Sequence, residues 1–131
     1  MRELSLVVEE DGRIVGHVLV ARGHLDPPAA EPLEVLTLGP IGVVRERQRQ
    51  GIGAALMERA IEAADARGAW AIVLVGHPTY YPRFGFEPAR PVGLEPPGPW
   101  PDGPWMVRRL GAWRPLARSV TVRFASAYER A

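Results

Sequence analysis

The sequence predicts one mixed α/β domain over residues 1–131. Three observations carry that prediction. Residues 33–76 run strand, helix, strand, a βαβ succession with parallel strands. Two β-rich runs flank Asp11-Gly12 ahead of it, and two more strand-like runs, "WMVRRL" and "SVTVRF", follow it. No repeat and no boundary marks a second domain.

Taken in order, "LSLVVEE" (4–10) and "RIVGHVLVAR" (13–22) enclose Asp11-Gly12 and read as a β-hairpin. Residues 24–32 form a proline-containing loop. "LEVLTLGPIGVV" (33–44) reads as a long strand that Gly39-Pro40 interrupts; proline cannot donate to a sheet ladder, so a bulge or bend is expected there. From Gly51 to about Arg67, Ile52, Leu56, Ala60 and Ala63, flanked by Met57, Ile61 and Ala64, make one apolar stripe. Glu58, Glu62 and Asp65 stand opposite, and Gly68 is placed to end the helix. "AWAIVLVG" (69–76) is a near-continuous apolar run, as expected of a strand buried on both faces. Residues 87–104 hold seven prolines and are read as irregular.

Composition narrows the function classes. Net charge is +1, and no basic stripe meets interleaved aromatics, which argues against nucleic acid and anionic membrane. All sixteen basic residues are arginine, with no lysine anywhere, a bias of the whole chain rather than of a site. The absence of cysteine excludes disulfides, thiolate metal sites and a cysteine nucleophile. Three scattered histidines, His17, His24 and His77, do not make a metal site. No apolar run reaches the roughly 18–20 residues of a membrane helix, and the N-terminus turns acidic too early for a secretory signal. The expected location is cytoplasmic.

One stretch does not suit a helix built for stability alone. "QRQGIGAALMERA" (48–60) puts Gly51 and Gly53 at a helix start, where glycine costs about 1 kcal/mol relative to alanine. A strand entering a helix through glycines exposes the first N–H groups, which lack partners inside the helix and favour an anion. Without side chains in the way, a phosphate can approach that backbone. Arg45, Arg47 and Arg49 add charge at the rim. The competing reading gives the glycines to close strand–helix packing. The pattern is neither a Walker sequence nor G-x-G-x-x-G.

Residues 38–89 resemble the core of GNAT-superfamily N-acetyltransferases. The family's acyl-CoA motif, Gln/Arg-x-x-Gly-x-Gly/Ala, is matched by Gln48-Arg49-Gln50-Gly51-Ile52-Gly53. The preceding strand, the following amphipathic helix and a closing Gly85-Phe86 are also in place. "GHPTYYPRFGF" (76–86) is similar to a bacterial branch of acetyltransferases whose acceptors are mostly unassigned. The resemblance implies a GNAT-like acyl-CoA N-acyltransferase fold, with a mixed, mostly antiparallel sheet and a βαβ cofactor-binding core. It also implies acetyl-CoA as co-substrate, with its pyrophosphate on the amides of Arg49, Gln50, Gly51, Ile52, Gly53 and Ala54. Its pantetheine arm would run along the strand ending at Val43 and Val44, which in the family splays from the strand ending near Gly76. A backbone N–H near Val43 would polarise the thioester carbonyl.

The implied reaction moves acetyl from acetyl-CoA to a primary amine of a small molecule or peptide, by direct attack because no cysteine can carry the acyl group. An amine of pKa about 10.4 is deprotonated in roughly one molecule in 2,500 at pH 7, and the departing thiolate gains from a donor. The family's donor is a tyrosine four residues before the closing glycine, which is Tyr81 here; adjacent Tyr80 competes, and both could instead pack the core with Phe84 and Phe86. His77, just past the second cofactor-flanking strand, is the candidate base, with Glu34 and Glu46 as rivals. Arg83 is assigned either to the phosphates or to a helix end. Trp100, Trp105 and Trp113 either wall the acceptor pocket or, as is more usual for tryptophans in a proline-rich domain, cover a core edge. No metal is expected. The hairpin starts almost at Met1, where the family has a strand and two helices, so the N-terminus reads as short. An uncovered sheet face there points to a homodimer. The alternative function is a non-catalytic acyl-CoA binding or sensing domain.

Overall fold

The computed structural model describes residues 4–29, 33–43, 51–101 and 103–124. β1 (Leu4–Glu10) and β2 (Arg13–Arg22) form the expected antiparallel hairpin. Asp11 at φ 52° and Gly12 at φ 76° are both left-handed, the turn geometry whose twist matches that of the flanking strands. β3 (His24–Asp26) follows, so the expected loop at 24–32 opens with a short strand.

β4 (Val35–Val43) lies antiparallel to β2. Val18 stands opposite Ile41 and Val20 opposite Leu38, which leaves Gly39 and Pro40 facing Leu19 alone. This is the bulge expected at Gly39-Pro40. α1 (Ile52–Ala66) then buries Leu56, Met57, Ala60 and Ala64 against the sheet. It ends as the sequence demands: Gly68 at φ 82° donates to the Asp65 carbonyl at 3.0 Å, and Ala69 donates to the Ala64 carbonyl at 3.1 Å. That pair of bonds satisfies carbonyls the helix itself cannot.

β5 (Ala71–Val75) returns parallel to β4, and four of its five residues are buried. A single turn of 3₁₀ helix follows at Tyr81–Phe84. The proline-rich segment, expected to be irregular, contributes β6 (Glu87–Pro88) and β7 (Leu94–Glu95), both very short. β8 (Trp105–Arg109) pairs antiparallel with β5, and β6 takes the far edge beside it. The main sheet has the order β1-β2-β4-β5-β8-β6, mostly antiparallel with one parallel pair at its centre. β9 (Val120–Arg123), the strand expected in "SVTVRF", joins β3 and β7 in a second, three-stranded sheet.

The two faces of the main sheet hold separate cores. On the α1 side, Val18, Val20, Leu36, Ile72, Leu74 and Met106 meet the helix stripe. On the other side, Val35, Val73 and Val107 pack beneath Leu94, Val120 and Val122 of the small sheet. Trp70 and Trp105 lie in this second core, each with its indole N–H bonded to a carbonyl, Arg114 at 3.1 Å and Leu94 at 2.9 Å. Trp113 stacks on Trp70 at 4.3 Å and Trp100 borders Trp105 and Phe124. Of the two readings of these tryptophans, the structure bears out the core cover.

Candidate functional site

The central parallel pair is incomplete. Val35, Leu36 and Thr37 pair with Ala71, Ile72 and Val73, and there the β4–β5 ladder stops. β4 continues on β2 as far as Val43, and β5 continues on β8 as far as Val75. Beyond Thr37 and Val73 the two facing edges have no ladder partner among the described residues. The bulge at Gly39-Pro40 falls on β4 just past the point of parting, and it re-aims that strand where it leaves its neighbour. Val75, on the parted end of β5, is 44% exposed although residues 69–74 are all buried.

Chain direction brings the start of α1 to this opening. β4 and β5 run parallel, so their C-terminal ends share one edge of the sheet, and the helix joining them must begin at that edge. Gly51, the residue before α1, takes φ 82°, and its carbonyl accepts the first helical bond from Ala55 at 2.9 Å. A Cβ at Gly51 would meet nothing within 4 Å, so this approach to the helix end stays open. The first turn carries no acidic side chain and no side-chain cap. Among the described residues nothing accepts from the N–H groups of Ile52, Gly53 and Ala54, and such a helix start fits an anionic phosphate. Val43 closes β4; Val44, Glu46, Arg49 and Gln50 lie outside the described residues.

The segment after β5 supplies the tyrosines. Tyr80 and Tyr81 both donate their backbone N–H to the His77 carbonyl, at 3.1 and 3.4 Å, which turns the chain off the end of β5. The Tyr81 ring lies against the backbone of Gly76. A Cβ at Gly76 would fall 2.8 Å from its Cδ2 and closer still to Cε2, so any side chain there would expel the ring. Tyr81 meets Tyr80 and Phe86 edge-on at 5.1 and 6.0 Å, and borders the same core as Ile52 of α1. It is half-buried, and loss of water around the hydroxyl, with a smaller contribution from Tyr80, pushes its pKa above the ordinary tyrosine value.

His77 is exposed, and its imidazole has no hydrogen-bond partner among the described residues. Arg83 donates from Nε to the Tyr80 carbonyl at 2.9 Å and lies over the Tyr80 ring at 4.5 Å. Of its two expected roles, the structure holds the local cap. Glu34 precedes β4, at the edge of the sheet opposite the opening. It is gripped by Arg67 in two bonds of 2.7 and 2.9 Å and by Arg22 at 2.8 Å. Burial raises its pKa, but those bonds and charges outweigh it and hold the carboxyl below the usual range. Both its place and its low basicity remove it as the base. His17 and His24 are exposed on β2 and β3, and no group of three or more His, Asp or Glu among the described residues is arranged to hold a metal.

Gly76 was missed by sequence reasoning, since at the end of an apolar run it reads as a strand terminator. So was Arg108. Its Nε donates to the Phe84 carbonyl at 2.9 Å, yet in the sequence it is one of two adjacent arginines in a strand.

The mixed sheet thus parts at its central parallel pair, beside a glycine-led helix start. Comparison with known proteins gives this arrangement a family. Residues 2–88 match the family model described as "Acetyltransferase (GNAT) domain". The chain is 36% identical over 126 residues to the uncharacterized N-acetyltransferase YjhQ of Escherichia coli K12, covering 93% of this chain and 68% of that protein. It is 29% identical over 108 residues to the uncharacterized N-acetyltransferase YhbS of the same strain, covering 82% and 63%. Among solved structures, E. coli YhbS in complex with CoA superposes with a TM-score of 0.83 at 26% identity, over 96% of this chain and 69% of that one. A GNAT acetyltransferase from Brucella melitensis in complex with acetyl-CoA gives 0.72 at 29% identity, over 95% and 67%. The chain belongs to the GNAT acetyltransferase family.

Proposed function

We propose that the protein is an N-acetyltransferase that takes acetyl from acetyl-CoA and passes it to a primary amine by direct attack. The observation that carries this reading is the parting of β4 and β5 beyond Thr37 and Val73, with Gly51 and Tyr81 brought to the same edge. The complexes of YhbS with CoA and of the Brucella enzyme with acetyl-CoA support it by likeness.

Acetyl-CoA brings an activated thioester: the amine nitrogen forms a bond to the carbonyl carbon, the C–S bond breaks, and a thiolate leaves. The chain's residues have four tasks around that exchange. The amides of Ile52, Gly53 and Ala54, with those of Arg49, Gln50 and Gly51, bind the pyrophosphate. The unpaired edges of β4 and β5 bind the amides of the pantetheine arm. A backbone N–H near Val43 or Val44 stabilises the negative charge that develops on the carbonyl oxygen. Tyr81 gives its hydroxyl proton to the thiolate. A thiolate near the about 8.5 of an ordinary thiol is a weaker base than tyrosinate, so the transfer is uphill by itself and is completed when the tyrosinate regains a proton from solvent. His77 takes the proton that the amine sheds. Its exposure at the edge of the opening gives it access to an incoming acceptor.

The test is a calorimetric titration with acetyl-CoA, followed by thiol release across a panel of small amines and peptides. Micromolar binding that Gly51→Glu abolishes, with turnover on at least one amine, is the expected result. Binding without turnover on any amine would favour an acyl-CoA sensor. No binding to either protein would overturn the proposal.

A further inference from the structure

The turn that carries Tyr81 is four residues long, too short to hold its own shape. Its local bonds, such as Gly85 N–H to the Pro82 carbonyl at 3.0 Å, are joined by contacts from outside the turn. At its C-terminal end, Arg108 donates from Nε to the Phe84 carbonyl at 2.9 Å. Arg108 sits opposite Ile72 and two residues from Met106, so it shares the α1 face of the sheet with both. Met106 and Arg108 alternate along β8 and Leu110 follows just past its end; Met106 and Leu110 are buried apolar residues. An arginine in the middle of that stripe gives up an apolar contact, and packing alone does not call for it. The residue after its acceptor leaves room for it: Gly85 takes φ 86°, and a Cβ there would stand 3.1 Å from Arg108 Nε. At the other end, Gly76 admits the Tyr81 ring onto the β5 backbone, and Gly76 is itself held by donating to the Pro104 carbonyl at 3.0 Å.

We propose that Arg108 and Gly76 are positioning residues for Tyr81: Arg108 pins the end of its turn and Gly76 provides the seat for its ring at the edge of the β4–β5 opening. Neither touches the reacting atoms. The inference rests on the acetyltransferase reading for its catalytic consequence, but the placement of the ring can be read without turnover.

The experiment uses the full chain with tyrosines labelled at the ring Cζ carbon, the Tyr81 signal being assigned by its loss in Tyr81→Phe. Arg108→Met restores an apolar stripe and keeps the side-chain length; Arg108→Lys keeps a donor; Gly76→Ala removes the seat. In the parent protein Tyr81 titrates above an ordinary tyrosine. In Arg108→Met and Gly76→Ala its titration moves back toward that of a free tyrosine, and in Arg108→Lys it moves less. With an active acceptor, kcat falls about tenfold in Arg108→Met, as expected for a misplaced donor, while acetyl-CoA affinity stays within about twofold. On a Tyr81→Phe background, Arg108→Met then costs nothing further. Unchanged Tyr81 titration in folded Arg108→Met and Gly76→Ala overturns the inference, as does an equal loss of kcat on the Tyr81→Phe background. If instead Tyr81→Phe is fully active while the titration still shifts, the donor assignment fails and the positioning inference stands.

Discussion

β4 and β5 are one pair of strands with two unlike ends. Over Val35–Thr37 and Ala71–Val73 they are hydrogen-bonded neighbours, buried on both faces and closed at the sheet edge by Glu34 between two arginines. Beyond that they part, β4 bulges, and Val75 emerges into solvent. The paired end satisfies every demand of stability: burial, ladder bonds and paired charge. The parted end gives these up in one place, beside a helix that starts through glycine. That contrast separates what the sequence spends on folding from what it spends on a ligand.

Substitutions at the two ends should therefore move different observables. The largest effect on stability is expected at the paired end. Ile72→Ala removes a fully buried side chain between α1 and the sheet and should cost about 2–5 kcal/mol in denaturant unfolding. Turnover per folded molecule should change little. Tyr81→Phe should do the reverse, lowering kcat by about a hundredfold or more, with the unfolding midpoint within about 0.5 kcal/mol of the parent. Burial raises the Tyr81 pKa above that of an ordinary tyrosine, so the hydroxyl keeps its proton throughout neutral pH. Its contribution to stability is complete below the unfolded tyrosine value and is lost only as pH rises through the folded one. A pH–rate profile should accordingly lose the donor only at a higher pH than an ordinary tyrosine ionises.

Glu34→Gln comes next. The carboxylate is mostly buried but its arginines are half exposed, so the network contributes about 1–2 kcal/mol. Because its folded pKa is depressed, that contribution is present above the ordinary value of 4.5 and fades as pH falls through the folded pKa. The difference between parent and variant, followed by thermal unfolding, should shrink as the solution is acidified below 4.5. The smallest stability effect is expected from Val75→Thr, within about 0.5 kcal/mol because the side chain is already exposed, with a severalfold rise in KM for acetyl-CoA. The same change at Val73, fully buried on the paired end, should destabilise the protein and leave KM alone.

Most of this contrast was legible in the sequence. The hairpin turn, the bulge at Gly39-Pro40, the stripe and C-terminal cap of α1 and the burial of β5 all rest on local chemistry: φ preference, a missing N–H, apolar periodicity. The glycine motif at 48–53 marked the helix start for the same reason. What was not legible depends on contacts distant in sequence. β9 leaves the main sheet because β3 and β7 offer it partners, and no local pattern names a strand's neighbour. The proline-rich segment still forms two-residue strands, because an edge position such as Pro88 on β6 tolerates a missing donor. Trp100, Trp105 and Trp113 allowed a pocket wall or a core edge, and only the placement of the small sheet decides for the core. Gly76 and Arg108 acquire a meaning only when the Tyr81 turn folds back against them. Arg108 did leave one signal, a charge where the alternation of β8 calls for an apolar residue.

The central claim is that the parted end of β4–β5, and not the paired end, receives acetyl-CoA. It is tested most directly by titrating acetyl-CoA into the isotope-labelled chain and following backbone amide resonances. The account predicts progressive shifts at Leu38, Val75, Gly76 and the Gly51–Ala54 amides, with Val35–Thr37 and Ala71–Val73 nearly still. Saturating shifts centred on the Glu34 edge, with the Gly51–Ala54 amides unmoved, would contradict it.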